Sequence, residues 1–159
     1  MTPDSLFWSA ILSLTPISEL RGAIPFAVAK GVPLLTAALW CIGWNALAGP
    51  FAYLFLSTAH RLLYRWPAYA SFFDRFVERA RLKVHPSVEK YGYWGLMAFV
   101  AIPLPFTGAW TGALGAWILG MERKKSMLVV ALGVAIAGIV VSLVVGLGIE
   151  ALSFFLKRM

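Results

Sequence analysis

The run Ser18-Glu19-Leu20-Arg21-Gly22-Ala23-Ile24-Pro25 sets a carboxylate and a guanidinium inside otherwise apolar sequence. Placing either charge at membrane depth costs ~2.5–3.5 kcal/mol on insertion scales, so such residues face a partner or a watery cavity. Glu19 and Arg21 are two apart, and on a regular helix they would point roughly 150° or more away from each other. Either the backbone opens here or each charge finds its partner elsewhere. Pro16 and Pro25 bracket the stretch, which predicts an opened hairpin tip. Arg21 carries a non-titrating charge suited to forked contacts with phosphate or carboxylate. Glu19 is suited to take up a proton, or to neutralise Arg21 when the site is empty. The bland alternative is an interfacial pair with a purely structural role.

The elements that must hold these charges follow from composition. Of 159 residues, 60% are hydrophobic and only 13% charged, and the mean hydropathy is +0.79. A soluble domain carries nearer 25% charged residues, so the chain is expected to be an integral membrane protein. Uncharged runs at 31–59, 91–121 and 126–149 each exceed the ~20 residues a spanning helix needs. The run 5–18 is too short to cross alone. No basic residue precedes it, so it does not read as a signal peptide.

A second pattern lies across the chain. Pro16-Ile17-Ser18, Ala27, Gly31 and Ala46-Leu47-Ala48-Gly49 recur as Pro105-Phe106-Thr107, Ala116, Gly120 and Ala135-Ile136-Ala137-Gly138, at a constant offset without a gap. Duplicated, proline-broken apolar segments are the sequence pointer to a transporter's binding site. Pro103 and Pro105 interrupt the second copy as Pro16 and Pro25 interrupt the first.

Net charge is +7, but the basic residues are concentrated at 61–90 and at Arg123-Lys124-Lys125. That distribution marks cytoplasmic flanks of membrane segments and attracts anionic headgroups; it is not a nucleic-acid footprint. Both clusters fall on one side if 91–121 enters the bilayer and returns. Each repeat is then a re-entrant hairpin followed by one crossing, and an odd number of crossings inverts the second copy. The competing geometry is a Pro-kinked full span at 94–120.

The expected fold is therefore an all-α integral membrane protein, a single membrane domain over 1–159. It is an inverted repeat of two units, each a re-entrant helical hairpin plus one transmembrane helix: repeat one at 5–59, repeat two at 92–156. A cytoplasmic amphipathic linker at 60–91 joins them, with Phe72, Phe73, Phe76, Val77 and Ala80 at helical spacing and an end near His85-Pro86. Both termini are expected outside, and His60 and His85 are read as interfacial residues. The hairpin tips should meet near the midplane and expose helix N-termini with partial positive charge. Arg21, Ser18, Asn45, Thr107, Trp110 and Thr111 are the candidate substrate-binding residues, with Glu19 as the coupling carboxylate. The small-residue ridges Gly108-x-x-x-Gly112 and Gly138-x-x-x-Ser142-x-x-x-Gly146 permit close helix contact, either within the chain or with a second copy.

The motifs at 18–25 and 103–116 (Pro-Leu-Pro-Phe-Thr-Gly-Ala-Trp-Thr-Gly-Ala-Leu-Gly-Ala) resemble those of the small multidrug export protein family. The second motif, with Gly120, is distantly similar to the hairpin of DedA-like membrane proteins. The resemblance implies a multi-pass protein of the bacterial inner (cytoplasmic) membrane, re-entrant hairpins, lipid movement, and a site at Glu19 and Arg21. Three functions remain open at this point. One is a transporter or flippase for a small anionic amphipath or lipid phosphate, coupled to protons through Glu19. Another is an exporter of cationic drugs; the last is a non-transporting membrane adaptor. The chain lacks HExxH, GxSxG, a phosphate-cradling glycine loop and clustered metal ligands, and its one cysteine, Cys41, excludes an intrachain disulfide. No enzymatic activity, metal or cofactor is expected. The expected partners are membrane lipids, a small amphipathic substrate and a second copy in a homodimer, with no nucleic acid.

Overall fold

The structure, a computed structural model, describes residues 3–104 and 107–156. They form eight helices: α1 (Pro3–Leu14), α2 (Glu19–Ala29), α3 (Leu34–Ala46), α4 (Ala48–Ser57), α5 (Ala59–Leu63), α6 (Pro67–Ala101), α7 (Ala109–Ile118) and α8 (Arg123–Leu156). No strand occurs among the described residues. Two stretches, Leu34–Ser57 and Arg123–Glu150, are long and apolar enough to span a bilayer. Large apolar side chains such as Leu128, Leu143 and Leu147 stand exposed along α8, as a lipid-facing helix requires.

The segments α1–α2 and the end of α6 with α7 are each helix–break–helix, followed by a long apolar stretch. The first arm of each packs on the long stretch that follows it, α1 on α3 and α6 on α8. The second arm also reaches across, α2 to α8 and α7 to α4. The second arms end identically. Gly31 and Gly120 have φ of 82° and 65°, values that cost a residue with a Cβ. Val32 N–H donates to Ala27 O at 3.0 Å and Met121 N–H to Ala116 O at 2.9 Å. Those are the six-to-one bonds of a Schellman motif. The matching Ala and Gly pairs are thus helix stops.

Among the positions at which the long stretches differ, one bears on their shape. Pro50 lacks an N–H and crowds the preceding turn, and the first stretch is jointed at Leu47 between α3 and α4. Its counterpart is Ile139, and α8 runs unbroken there.

Two proline-based expectations are corrected. Pro25 lies inside α2, so it does not mark a hairpin tip; the opened backbone runs over 15–19. The linker helix does not stop at His85-Pro86 but continues to Gly92, whose φ of 56° and ψ of −129° break α6. Proline tolerates a helical φ, whereas that backbone region is open essentially to glycine alone.

A core built on small residues joins all the long elements. Ala23, Cys41, Ala48, Leu96, Ala113 and Val134 belong to it. The small-residue ridges serve the chain's own packing: Gly138 seats Ile42, Gly112 seats Val100, and Gly146 meets Leu34. A Cβ on Gly133 would stand 2.8 Å from Val100 Cβ and 2.9 Å from the Met97 carbonyl. Backbone cannot rotate away, so Gly133→Ala should destabilise by about 1–3 kcal/mol, as overpacking does. Denaturation in detergent checks this, and an unshifted midpoint would contradict the α6–α8 packing.

Candidate functional site

Each broken segment strands backbone groups that a continuous helix would satisfy, and hydrocarbon offers no water in their place. The two breaks supply each other. Glu19 is buried at the start of α2, 6% exposed. Its Oε1 accepts from the Trp110 N–H at 3.4 Å, and the carboxylate also faces the Ala109 N–H. It therefore sits on the N-terminus of α7, where the helix dipole favours negative charge. Arg21 Nη1 donates to the Leu104 carbonyl and Nη2 to the Thr107 carbonyl at 3.3 Å. In return, the Trp110 indole N–H donates to Leu14 O at 2.8 Å, at the end of α1. Asn45 Nδ2 reaches Ser13 O at 2.5 Å from α3.

Backbone strain makes this exchange possible. Glu19 has a φ of 47°, the one positive value on a non-glycine residue among those described. Such a conformation costs of order 1–3 kcal/mol and persists only where surroundings impose it. It removes the regular-helix constraint that would separate Glu19 from Arg21, and both side chains reach the second break. Gly108, with φ 146°, completes the fit. A Cβ there would overlap the Glu19 carboxylate.

Space beside the tips is unequal. Between them lies a void of about 10 Å³, bounded by Glu19, Asn45, Gly108 and Val134, room for about one water. Toward the linker opens a cavity of about 810 Å³. Pro16, Ile17, Ser18, Glu19 and Arg21 form one side of it. Phe55, Tyr69, Phe72, Phe73 and Trp110 supply rings to its walls.

The candidate residues divide accordingly. Arg21, Ser18, Thr107, Trp110, Thr111 and Glu19 all line the large cavity, and Asn45 lines the small void instead. The Thr107 hydroxyl is engaged within the break, donating to Ile102 O at 2.6 Å or Leu104 O at 2.8 Å and accepting from Leu104 N–H at 3.0 Å. Thr111 Oγ1 donates to Gly108 O at 3.3 Å. The N-terminus of α7, expected to be free for a ligand, is taken by Glu19. Pro103 lies in the second break, while Pro105 and Phe106 lie outside the described residues. Sequence reasoning assigned Phe72 and Phe73 to an amphipathic surface. Their facing Phe55 and Trp110 could be suspected only from the aromatic density around 64–73.

A family model described as "Putative small multi-drug export protein" matches residues 19–140. No curated protein and no solved structure matches the chain.

Proposed function

Because the chain belongs to the small multidrug export protein family, we propose that it is a membrane transporter for amphipathic molecules. The cavity of about 810 Å³ carries this reading, since its size falls within the range of small-molecule sites. Its rings suit an apolar body, and its inner edge offers charge. Glu19 is buried against α7, whereas Arg21 is only half-buried and commits two of its five donors to Leu104 and Thr107. The charge offered to an occupant is thus positive, which favours an anionic head such as phosphate, sulfonate or carboxylate.

In this reading the two broken segments are re-entrant hairpins of an inverted repeat in the bacterial inner membrane, with the linker on the cytoplasmic side. Glu19 couples transport to protons, because neutralising it would release the tip of α7. The crosswise packing of the second arms and their shared Schellman stops support the repeat. No step calls for catalysis. A homodimer would add to the small interior of a single chain.

A cationic substrate is the second reading. It is favoured by the five rings on the cavity wall, since aromatic faces attract desolvated cations.

Binding to the purified protein in nanodiscs separates the two. Two fluorescent probes with one polyaromatic body would be compared, one ending in sulfonate and the other in trimethylammonium. The sulfonate should bind about tenfold tighter, a difference of ~1.4 kcal/mol, and Arg21→Gln should erase that preference. Tighter trimethylammonium binding in the wild type would establish the cationic reading instead. Failure of both probes to bind folded protein would remove the transport site.

A further inference from the structure

Glu19 borders two separate spaces. One is the large cavity on the linker side; the other is the small void, whose lining includes Asn45 but none of the cavity's rings. Asn45 is 1% exposed. Its Nδ2 is committed to Ser13 O, which leaves Oδ1 for the void. A water seated there would donate to Oδ1 and to the Glu19 carboxylate.

From Asn45 a polar seam runs away from the cavity. Ser5, Ser9 and Ser13 recur every fourth residue on one face of α1 and are 4%, 0% and 0% exposed. Ser9 Oγ donates to Leu6 O at 2.9 Å, and Ser13 Oγ to Ser9 O at 2.8 Å. Opposite them on α3, the buried Cys41 thiol faces both hydroxyls. The two helices run side by side. The Trp40 indole N–H donates to Leu6 O at 3.0 Å near the start of α1, and Asn45 closes on Ser13 near its end. Ser5 lies roughly 12 Å from Ser13 along the helix axis, toward the end of α1 remote from the cavity.

Packing does not account for these hydroxyls. Other close helix contacts use alanine and glycine, as at Ala23, Ala113 and Gly138, and alanine at 9 and 13 would fit the same space. Both hydroxyls bond to carbonyls of their own helix, an arrangement that adds nothing to helix stability. What a hydroxyl has and a methyl lacks is the ability to accept a proton on one side while releasing one on the other.

We propose that Ser5, Ser9, Cys41 and Ser13 form a proton route to Glu19, completed by a water held on Asn45, and that it opens on the face opposite the substrate cavity. The inference rests on the cavity being the transport site and on Glu19 being its coupling group. The step is a relay. A hydronium at the mouth of the seam gives up one proton, each group along it takes one and passes one on, and the Glu19 carboxylate gains one. No charge stays on the seam. Arg21 at the tip, Tyr69 across the cavity and Cys41 on the seam are the other charged or titratable groups around the path. An occupant of the cavity covers the linker-side approach to Glu19, and the seam then becomes its proton supply. Substrate and proton reach one carboxylate from opposite faces, which is the arrangement of an exchanger.

The test uses proteoliposomes sorted for one orientation of the protein. A jump from about pH 8 to about pH 5 on one face spans the range of a buried carboxyl. Infrared difference spectra follow the Glu19 C=O stretch, identified by its absence in Glu19→Gln. A jump on the α1 face should raise this band. Ser9→Ala with Ser13→Ala should slow that rise at least about tenfold, with the unfolding midpoint and the response to a linker-face jump unchanged. No rise from the α1 face, or the same rise in the double variant, overturns the route. If the double variant does not fold, the wild-type thiol decides. Cys41 carries the chain's one S–H stretching band. In heavy water that thiol should be at least about tenfold less protected against exchange than the Cys41 amide; equal protection of the two would refute the seam. A response through the α1 face in a protein that binds neither fluorescent probe would keep the route and remove the transport reading. Probe binding with a response from the linker face alone would do the reverse.

Discussion

Gly108→Ala should unfold or disable the protein more than any other single-methyl change, at a cost of about 2–4 kcal/mol. Two effects add. The backbone at φ 146° lies where a side chain is strained by of order 1–3 kcal/mol, and the new Cβ would occupy the place of the Glu19 carboxylate. Displacing that carboxylate also uncaps α7 and strands the Trp110 N–H. The two contributions are separable. In the double variant Gly108→Ala with Glu19→Ala, the collision is gone and only backbone strain and the lost cap remain. Thermal denaturation in detergent should therefore show the second substitution adding little or even restoring stability. Strictly additive losses would mean that the carboxylate does not rest against Gly108.

Arg21→Ala should cost about 1–3 kcal/mol before any transport is considered. It leaves the Thr107 carbonyl without its donor at 3.3 Å and takes one of three donors from Leu104 O, which also accepts from the Thr107 hydroxyl and N–H. The Thr107 carbonyl is half-buried, and stranding such a group costs up to about 1–3 kcal/mol, more when the lost donor was charged. Arg21→Lys should recover less than half of the loss, because an ammonium cannot fork across two carbonyls. Unfolding midpoints of the three proteins in one detergent test this ordering. Full recovery by lysine would mean that charge alone matters and that the forked contact does not form.

Much of the scaffold was legible because helix punctuation is local. Gly31 and Gly120 recur in the repeat and prove to be helix stops, whereas the joint at Leu47 was not anticipated, since one continuous transmembrane helix was expected there. Local rules failed where one residue type permits two outcomes. Pro25 and Pro86 were read as breakers, yet a proline can ride within a helix if one hydrogen bond is forgone. Gly92 carried the break instead, and nothing in its neighbours distinguished it from a packing glycine. The charged pair was singled out from sequence alone and lies at the start of α2, facing the second break. Its partners were not, because they are backbone groups more than 80 residues away and carry no side-chain signature. The cavity was hidden for a related reason. Phe72 and Phe73 mark an apolar face at helical spacing, but spacing does not say what that face meets.

The contrast between Pro50 and Ile139 has a mechanical consequence for the bilayer around the protein. Helix α8, with 34 residues, is about 50 Å long, and the jointed stretch of 24 residues about 36 Å, at ~1.5 Å per residue. A hydrocarbon layer of ~30 Å accommodates the shorter one nearly upright, while the longer must tilt or project. One rod is continuous and oversized, the other shorter and jointed near its middle. Changes in lipid thickness will be absorbed unequally by the two, so acyl-chain length becomes a lever on their mutual angle.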